Sequence, residues 1–501
     1  MEYVIRFAQA HESFRRPEIE ALSRLAGLSC EIVSYKPKSP FCVVRFPDLD
    51  RAGHSAERVD EVVRAFFKRS VLAKSIYELW ARGRDYDSLH ETLRGRGDGF
   101  SERFRRSTFR FSVDCYGSTR SLAVQRELIN GFKYLGLEGK IRMKDPEVEF
   151  TIMELWLAPG TTGQGPDGEG EVGDGMFDEI AGTKFREVFL GRKLGDSRRY
   201  LKDKHDLKKR PYISTTSMDA ELALVTATLA LASPGKLFMD PFVGTGGFMI
   251  AAAELGAMSF GSDIDGRSFK GKGIGIDTGV GANFKKYSLQ HLFGDCVTSD
   301  LTNTPFRIVK GLNHLKDARW LDGIICDPPY GVREGLRVLG TRKGLMPPAE
   351  CGGVNPSSTQ GSTHQVHLIG GVPGYTLPGY IPPKKPYSFM RMLDDILDFA
   401  ARTLVDGGRI AFWMPSANED EFGQEVPTVI PSHTHLELKH ECIQRFNKWS
   451  RRLLVYERLR GPIEIGEVME KLSLDGTADE LNPFRKRYFQ PVVDRNGGPV
   501  A

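Results

Sequence analysis

The sequence predicts an α/β protein whose C-terminal half is a doubly wound, mostly parallel sheet. Three observations predict it. An apolar run at 236–239 leads through a Gly-rich turn into the helix-forming stretch Met249-Ile250-Ala251-Ala252-Ala253-Glu254-Leu255. A second apolar run at 257–262 follows at once and ends in Asp263-Ile264-Asp265. A third, at 321–326, is stopped by Asp327-Pro328-Pro329-Tyr330-Gly331. Strand, helix, strand in alternation is the pattern of parallel crossover units.

Taken in order, the first crossover carries Asp240-Pro241-Phe242-Val243-Gly244-Thr245-Gly246-Gly247-Phe248 between strand and helix. Ligands of such sheets bind outside the carboxyl ends of the strands. The glycines let a ligand approach the backbone, and the helix start offers free N–H groups. No Lys-Ser/Thr follows the glycines, so the turn is not a P-loop, and an acid and a proline at its start break the dinucleotide fingerprint. Asp240 would repel a pyrophosphate and suits a cationic amino-acid moiety. Asp263, about twenty residues on, stands where ribose hydroxyls are accepted. An amphipathic helix around 283–287 then leads to Phe293-Gly294-Asp295-Cys296, which places Asp295 for an adenine amine. Each acid alone reads as a solvated strand end or a helix cap. Three on successive strand ends point to one ligand.

The turn at Asp327 is chemically unusual. Two consecutive prolines remove two backbone donors and fix φ twice, so the strand cannot continue as a ladder. A carboxylate, the Pro328 carbonyl and the Tyr330 ring are then held toward one point. A planar base carrying an exocyclic amine needs two acceptors and a stacking face. On its own, the same pentapeptide also serves as a Pro-rich cap of a strand.

Together these residues resemble the S-adenosylmethionine-dependent methyltransferases that modify amino groups, whose fourth motif is Asp-Pro-Pro-Tyr. The stretch Thr215-Thr216-Ser217-Met218-Asp219 ahead of an apolar helix at about 220–231, capped by Ser217 or Asp219, narrows the resemblance to the tRNA guanine-10 N2-methyltransferases. That resemblance implies S-adenosyl-L-methionine as cofactor and tRNA as substrate. It implies that Asp240, Pro241, Gly244 and Gly246 bracket the methionine part, with Ser217 beside them, Asp263 on the ribose and Asp295 on the adenine. Asp327, Pro328, Pro329 and Tyr330 are the implied catalytic set. Asp327 and the Pro328 carbonyl would accept the amine hydrogens and align its lone pair, while Tyr330 stacks on a flipped-out base. A small zinc-binding activator subunit is implied as a partner, although no residue of the sequence marks its contact.

The N-terminal half agrees. A strand at 108–113, a helix at 124–134 and a strand at 145–152 resemble a THUMP-like RNA-binding module, behind a small ferredoxin-like domain. The expected domains are 1–60 (ferredoxin-like), 61–190 (THUMP-like, with a flexible Gly- and acid-rich insert at 160–177), a basic linker at 191–215, a methyltransferase domain at 216–465 with a long loop at 341–385, and a tail at 466–501. Length alone, 501 residues, accommodates two or three cores.

Net charge is only +4, but residues 181–210 hold eleven Lys or Arg against four Asp or Glu. That concentration suits a polyanion backbone. The residues expected to meet RNA are Arg105, Arg106 and Arg110 in a cluster opened by Arg103, Lys208, Lys209 and Arg210 at the end of the basic stretch, and Arg333, Arg342 and Lys343 beyond the Asp-Pro-Pro-Tyr turn. Seven cysteines without C-x-x-C spacing, and His433, His435 and His440 without ligand spacing, give no metal site. No basic-then-apolar leader and no apolar run of membrane length are present, so a cytoplasmic chain is expected. Substrate choice stays open between tRNA, another RNA and the adenine-N6 position of DNA, and a non-catalytic RNA-binding scaffold remains an alternative.

Overall fold

A computed structural model describes residues 1–501 except 52, 98–101, 158–183, 272–277, 307–318, 332–335, 340–367, 378–379, 381, 418–429, 447–448 and 463–501. The expected insert at 160–177, the tail at 466–501, and Arg333, Arg342 and Lys343 therefore lie outside the described residues, as does much of the 341–385 loop. The chain divides into two compact units. The first comprises Met1–Lys209, Asp219–Leu231 and Cys442–Asn447; the second comprises Arg210–Met218, Ala232–Glu441 and Lys448–Ala501.

The first unit is built on one seven-stranded sheet: β1 (Glu2–Phe7), β2 (Glu31–Tyr35), β3 (Phe41–Arg45), β4 (Ala73–Gly83), β5 (Phe109–Tyr116), β6 (Val148–Leu157) and β7 (Lys184–Asp196), in the order β2-β3-β1-β4-β7-β6-β5. The modules expected at 1–60 and 61–190 share this sheet through the antiparallel β1–β4 pair. The stretch expected to be a linker begins as β7, because Val188, Phe189 and Leu190 alternate onto buried faces on both sides of the sheet. Arg192, on the same strand, is buried between Asp60 and Glu78, at 2.7 and 2.6 Å. The helix expected at 124–134 runs Leu122–Asn130 and breaks at Gly131, with a 3-10 turn after it. The strand expected from 145 starts at Val148, because Asp145 adopts a positive φ of 49°.

The second unit is the doubly wound sheet. Its strands are β8 (Leu237–Asp240), β9 (Met258–Asp263), β10 (Phe293–Thr298), β11 (Leu321–Cys326), two short ribbons made of β12 (Arg337–Leu339) with β15 (Lys384–Pro386) and β13 (Leu368–Ile369) with β14 (Val372–Pro373), then β16 (Leu404–Ala417), β17 (Leu436–Arg445) and β18 (Trp449–Arg458). The main sheet runs β10-β9-β8-β11-β16-β18-β17. Pairs from β10 through β16 are parallel and β18 returns antiparallel to β16. The strand order reverses at β8, so the helix Gly247–Glu254 of the β8–β9 crossover and the helix Phe389–Thr403 of the β11–β16 crossover fall on opposite sides of the sheet and open a crevice at the carboxyl ends. The helix Phe389–Thr403 packs Met392, Leu393, Ile396 and Leu397 against Ile324, Ile410 and Phe412 of the sheet. Trp413 is fully buried in β16, as its apolar run predicts. Among the described residues no helix is long and apolar enough to cross a membrane, and no His/Cys/Asp/Glu cluster has the arrangement of a metal site.

Candidate active site

The sheet brings three of the sequence-predicted acids to one rim. Asp240 ends β8, Asp263 ends the neighbouring β9, and Asp327 follows Cys326 at the end of β11 on the other side. Asp240 is thus the middle member of the row, 2% exposed. Burial raises its carboxyl well above the usual carboxylate range, and Asp263 and Asp327 raise it further. Burial likewise raises the Asp263 carboxyl against two backbone hydrogen bonds, and it raises Asp327 to about 6. By contrast, Asp265 two residues past the rim is lowered to about 2 by its Arg267 partner. Three acids that resist ionising together in the same crevice form a site complementary to a cation.

The Gly-rich turn is held by backbone bonds. Asp240 accepts from Phe242 N at 3.0 Å, while Asp263 accepts from Gly244 N at 3.1 Å and from Asp265 N at 2.9 Å. Gly246 has φ 77° and precedes the helix Gly247–Glu254; a Cβ there would stand 2.6 Å from Val280 Cγ1, so only glycine fits. Pro241 is buried between these acids and the turn. Ser217 does reach the loop, with its hydroxyl 2.8 Å from that of Thr245.

Two residues unremarked in the sequence complete the cradle. Asn283 is fully buried, donates to the Tyr212 and Thr245 carbonyls at 2.8 and 3.2 Å, and accepts from Tyr212 N at 3.0 Å. The Tyr212 hydroxyl donates to the Ser268 carbonyl at 2.5 Å. The segment around Tyr212 is thereby tied to both the turn and the region after β9.

Asp295 does not stand at a strand end. The β10–β9 register moves from Phe293↔Ser259 to Cys296↔Gly261, so Gly294 and Asp295 form a bulge opposite Phe260, and β10 continues to Thr298. Asp295 is exposed at φ 82°, and its carboxylate accepts from the next residue, Cys296 N, at 2.7 Å. The acid at the rim of β10 is Asp300, 5% exposed, just past the Thr298↔Asp263 pair. It accepts from Thr302 N at 2.8 Å and Leu339 N at 2.7 Å. The short segment Ser299-Asp300-Leu301-Thr302 after an alternating strand carried that signal.

On the acceptor side, Tyr330 donates its hydroxyl to Asp327 Oδ1 at 2.5 Å. Pro328 is buried, and Pro329 and Tyr330 are half-buried. Burial and the Asp327 charge push the Tyr330 phenol well above its ordinary range, so it stays a neutral donor. The Tyr330 ring meets Trp449 of β18 edge to face, with centroids 6.3 Å apart.

The basic residues fare differently. Arg210 is 7% exposed, and its guanidinium lies beside Gly247 at the start of the cofactor-side helix, so it is a core residue of the second unit and no surface contact for RNA. In the first unit, Arg103 pairs with Glu57 and Asp60, Arg105 with Glu102 and Glu138, and Arg110 with Glu149. Arg106, Lys208 and Lys209 are exposed.

Residues 1–167 match the Tmrp11 THUMP N-terminal domain, and residues 208–292 match the RMKL-like methyltransferase domain. The tRNA (guanine(10)-N(2))-methyltransferase of Saccharomyces cerevisiae is 37% identical over 492 residues, covering 97% of this chain and 99% of that protein. The protein of the same name from Schizosaccharomyces pombe is 31% identical, over 97% of this chain and 96% of its own length. Its Homo sapiens counterpart is 30% identical, over 98% and 96%. With identity of 30 to 37% over 97 to 98% of its length, the chain belongs to the tRNA (guanine(10)-N(2))-methyltransferase family.

Proposed function

We propose that this chain methylates the exocyclic N2 amine of guanosine 10 in tRNA, with S-adenosyl-L-methionine as cofactor. The observation that carries the reading is the row Asp263–Asp240–Asp327 on adjacent strand ends: two buried acids beside a Gly-rich turn, and a third in an Asp-Pro-Pro-Tyr turn. The cradle fits the cofactor, since its buried carboxylates suit an ammonium and a sulfonium and its turn excludes a Cβ at Gly246. When bound, S-adenosyl-L-methionine supplies an electrophilic methyl group.

Asp240, Pro241, Gly244 and Gly246 hold the methionine part, with Ser217 and Asn283 fixing the loop. Asp263 accepts ribose hydroxyls. Asp300, at the rim of β10, takes the adenine amine in place of Asp295. Asp327 Oδ2 and the Pro328 carbonyl accept the two N–H bonds of the guanine amine. Accepting both turns the nitrogen lone pair out of conjugation with the ring and toward the crevice. Tyr330 holds Asp327 Oδ1 and stacks on the base, which leaves its helix to enter. The amine proton becomes acidic as the new N–C bond forms, so a carboxylate near pKa 6 suffices to receive it.

The substrate binds through the first unit as well, with Arg106, Lys208 and Lys209 exposed for phosphate contact, and Arg105 and Arg110 available by exchange of their surface ion pairs. A small zinc-binding activator subunit docks along β10, the terminal strand of the main sheet; Val297 on it and Met258 on β9 are 36% and 45% exposed. Activity is cytoplasmic.

Nucleoside mass spectrometry tests the reading. The full chain and isotope-labelled cofactor, given unmodified tRNA, yield N2-methylguanosine in the fragment that contains position 10. Label at another position, or on adenosine, would refute it.

A further inference from the structure

Arg451 has no role in the site as built so far, yet the fold carries it to the acceptor turn. Because β18 runs antiparallel to β16, with Ala417↔Trp449 and Pro415↔Arg451 in register, the start of β18 lies at the carboxyl rim of the parallel strands. There β16 pairs with β11 through Cys326↔Phe412, just short of Asp327. Trp449 and Arg451 are two apart on the strand and share a face. Trp449 meets the Tyr330 ring edge to face, and the Arg451 guanidinium lies 5.1 Å over the Trp413 ring and hydrogen-bonds the Tyr330 hydroxyl.

A guanidinium carries only donors. The Tyr330 oxygen must therefore accept from Arg451, which leaves its single hydrogen for Asp327 Oδ1, 2.5 Å away. The three side chains form a chain of bonds with one direction. Oδ1 is occupied, and Oδ2 is the oxygen left to accept from a substrate.

We propose that Arg451 is a positioning residue for the methyl-accepting amine: it fixes the Tyr330 hydroxyl as a donor to Asp327 and so selects which carboxylate oxygen receives the amine hydrogen. This rests on the assignment of Asp327 as amine acceptor. Its charge has a second effect. Asp327 faces Asp240 from β8, Tyr330 from its own turn, Cys326 from β11 and Arg451 from β18; of these, Arg451 and the Tyr330 hydroxyl favour the ionised carboxylate. Without Arg451, the carboxyl of Asp327 rises further and its proton must leave before an amine can bind.

The test uses the full chain, unmodified tRNA and saturating cofactor. Arg451→Met is expected to move the acidic limb of kcat upward by about one pH unit, with about a fivefold loss at pH 6. KM for tRNA and its salt dependence should stay within about twofold. Arg451→Lys, which keeps the charge, should recover most of the limb. In a Tyr330→Phe background, Arg451→Met should cost much less than in the wild type. A uniform loss of kcat with an unmoved limb would make Arg451 structural, and a raised KM with a shallower salt slope would make it an RNA contact; either overturns the proposal. Ionisation of Asp327 is also read without turnover, as the carboxylic-acid band in wild-type minus Asp327→Asn infrared spectra. That band should persist to higher pH in Arg451→Met, and an unmoved band overturns the inference. Absence of methyl transfer by the wild type would instead strike the function.

Discussion

The two halves of the carboxyl rim are ordered by different means. On the cofactor side, Asp240 and Asp263 are fixed by amides of their own turns, from Phe242, Gly244 and Asp265. On the acceptor side, Asp327 is held by side chains: Tyr330 three residues away, and behind it Arg451 and Trp449 from the last hairpin, more than a hundred residues along the chain. Backbone ordering suits a ligand of constant shape. Side-chain ordering lets a proton acceptor be tuned in charge and direction without disturbing the cofactor turn.

If the halves are separable, their variants should fail differently. The largest expected effect is on the acceptor side. Asp327→Ala should lower the single-turnover rate of methyl transfer by about a thousandfold while cofactor affinity, read by calorimetry, changes by less than about threefold. A matching loss of cofactor binding would merge the two halves. The next effect sharpens the cofactor half. Asp300→Ala should weaken cofactor binding by about tenfold, the loss of roughly one charge-assisted hydrogen bond, whereas Asp295→Ala should leave it unchanged. The reverse order would restore Asp295 as the adenine partner.

This contrast also marks what could be read from the chain. Asp240, the glycines, Asp263 and Asp327 were legible because each lies at the end of its own apolar run, and a parallel sheet aligns such ends automatically. Asp295 misled because a bulge, which no periodicity announces, postpones the end of β10 to Thr298. Arg210 misled because a run of charge reads as surface, while this member is buried beside Gly247. Asn283 and Arg451 were out of reach, since their partners come from 71 residues away in one case and from another strand in the other. The first unit shows the same limit: apolar alternation marked β5 and β6, but not that β1 and β4 join the two expected modules into one sheet.

The central claim is that Asp240, Asp263 and Asp327 form one row in which burial disfavours the ionised carboxylates until a cation enters. Groups whose carboxyls are raised in the free protein must lose protons to receive a positive ligand, so binding tightens as pH rises through their raised range. The direct measurement is the calorimetric affinity of the full chain for S-adenosylmethionine, a sulfonium cation, against S-adenosylhomocysteine, its neutral thioether, between pH 5.5 and 8. The account predicts proton release on binding S-adenosylmethionine and an affinity that rises more steeply with pH than that of the thioether. Equal slopes for the two, with no proton released, would contradict it.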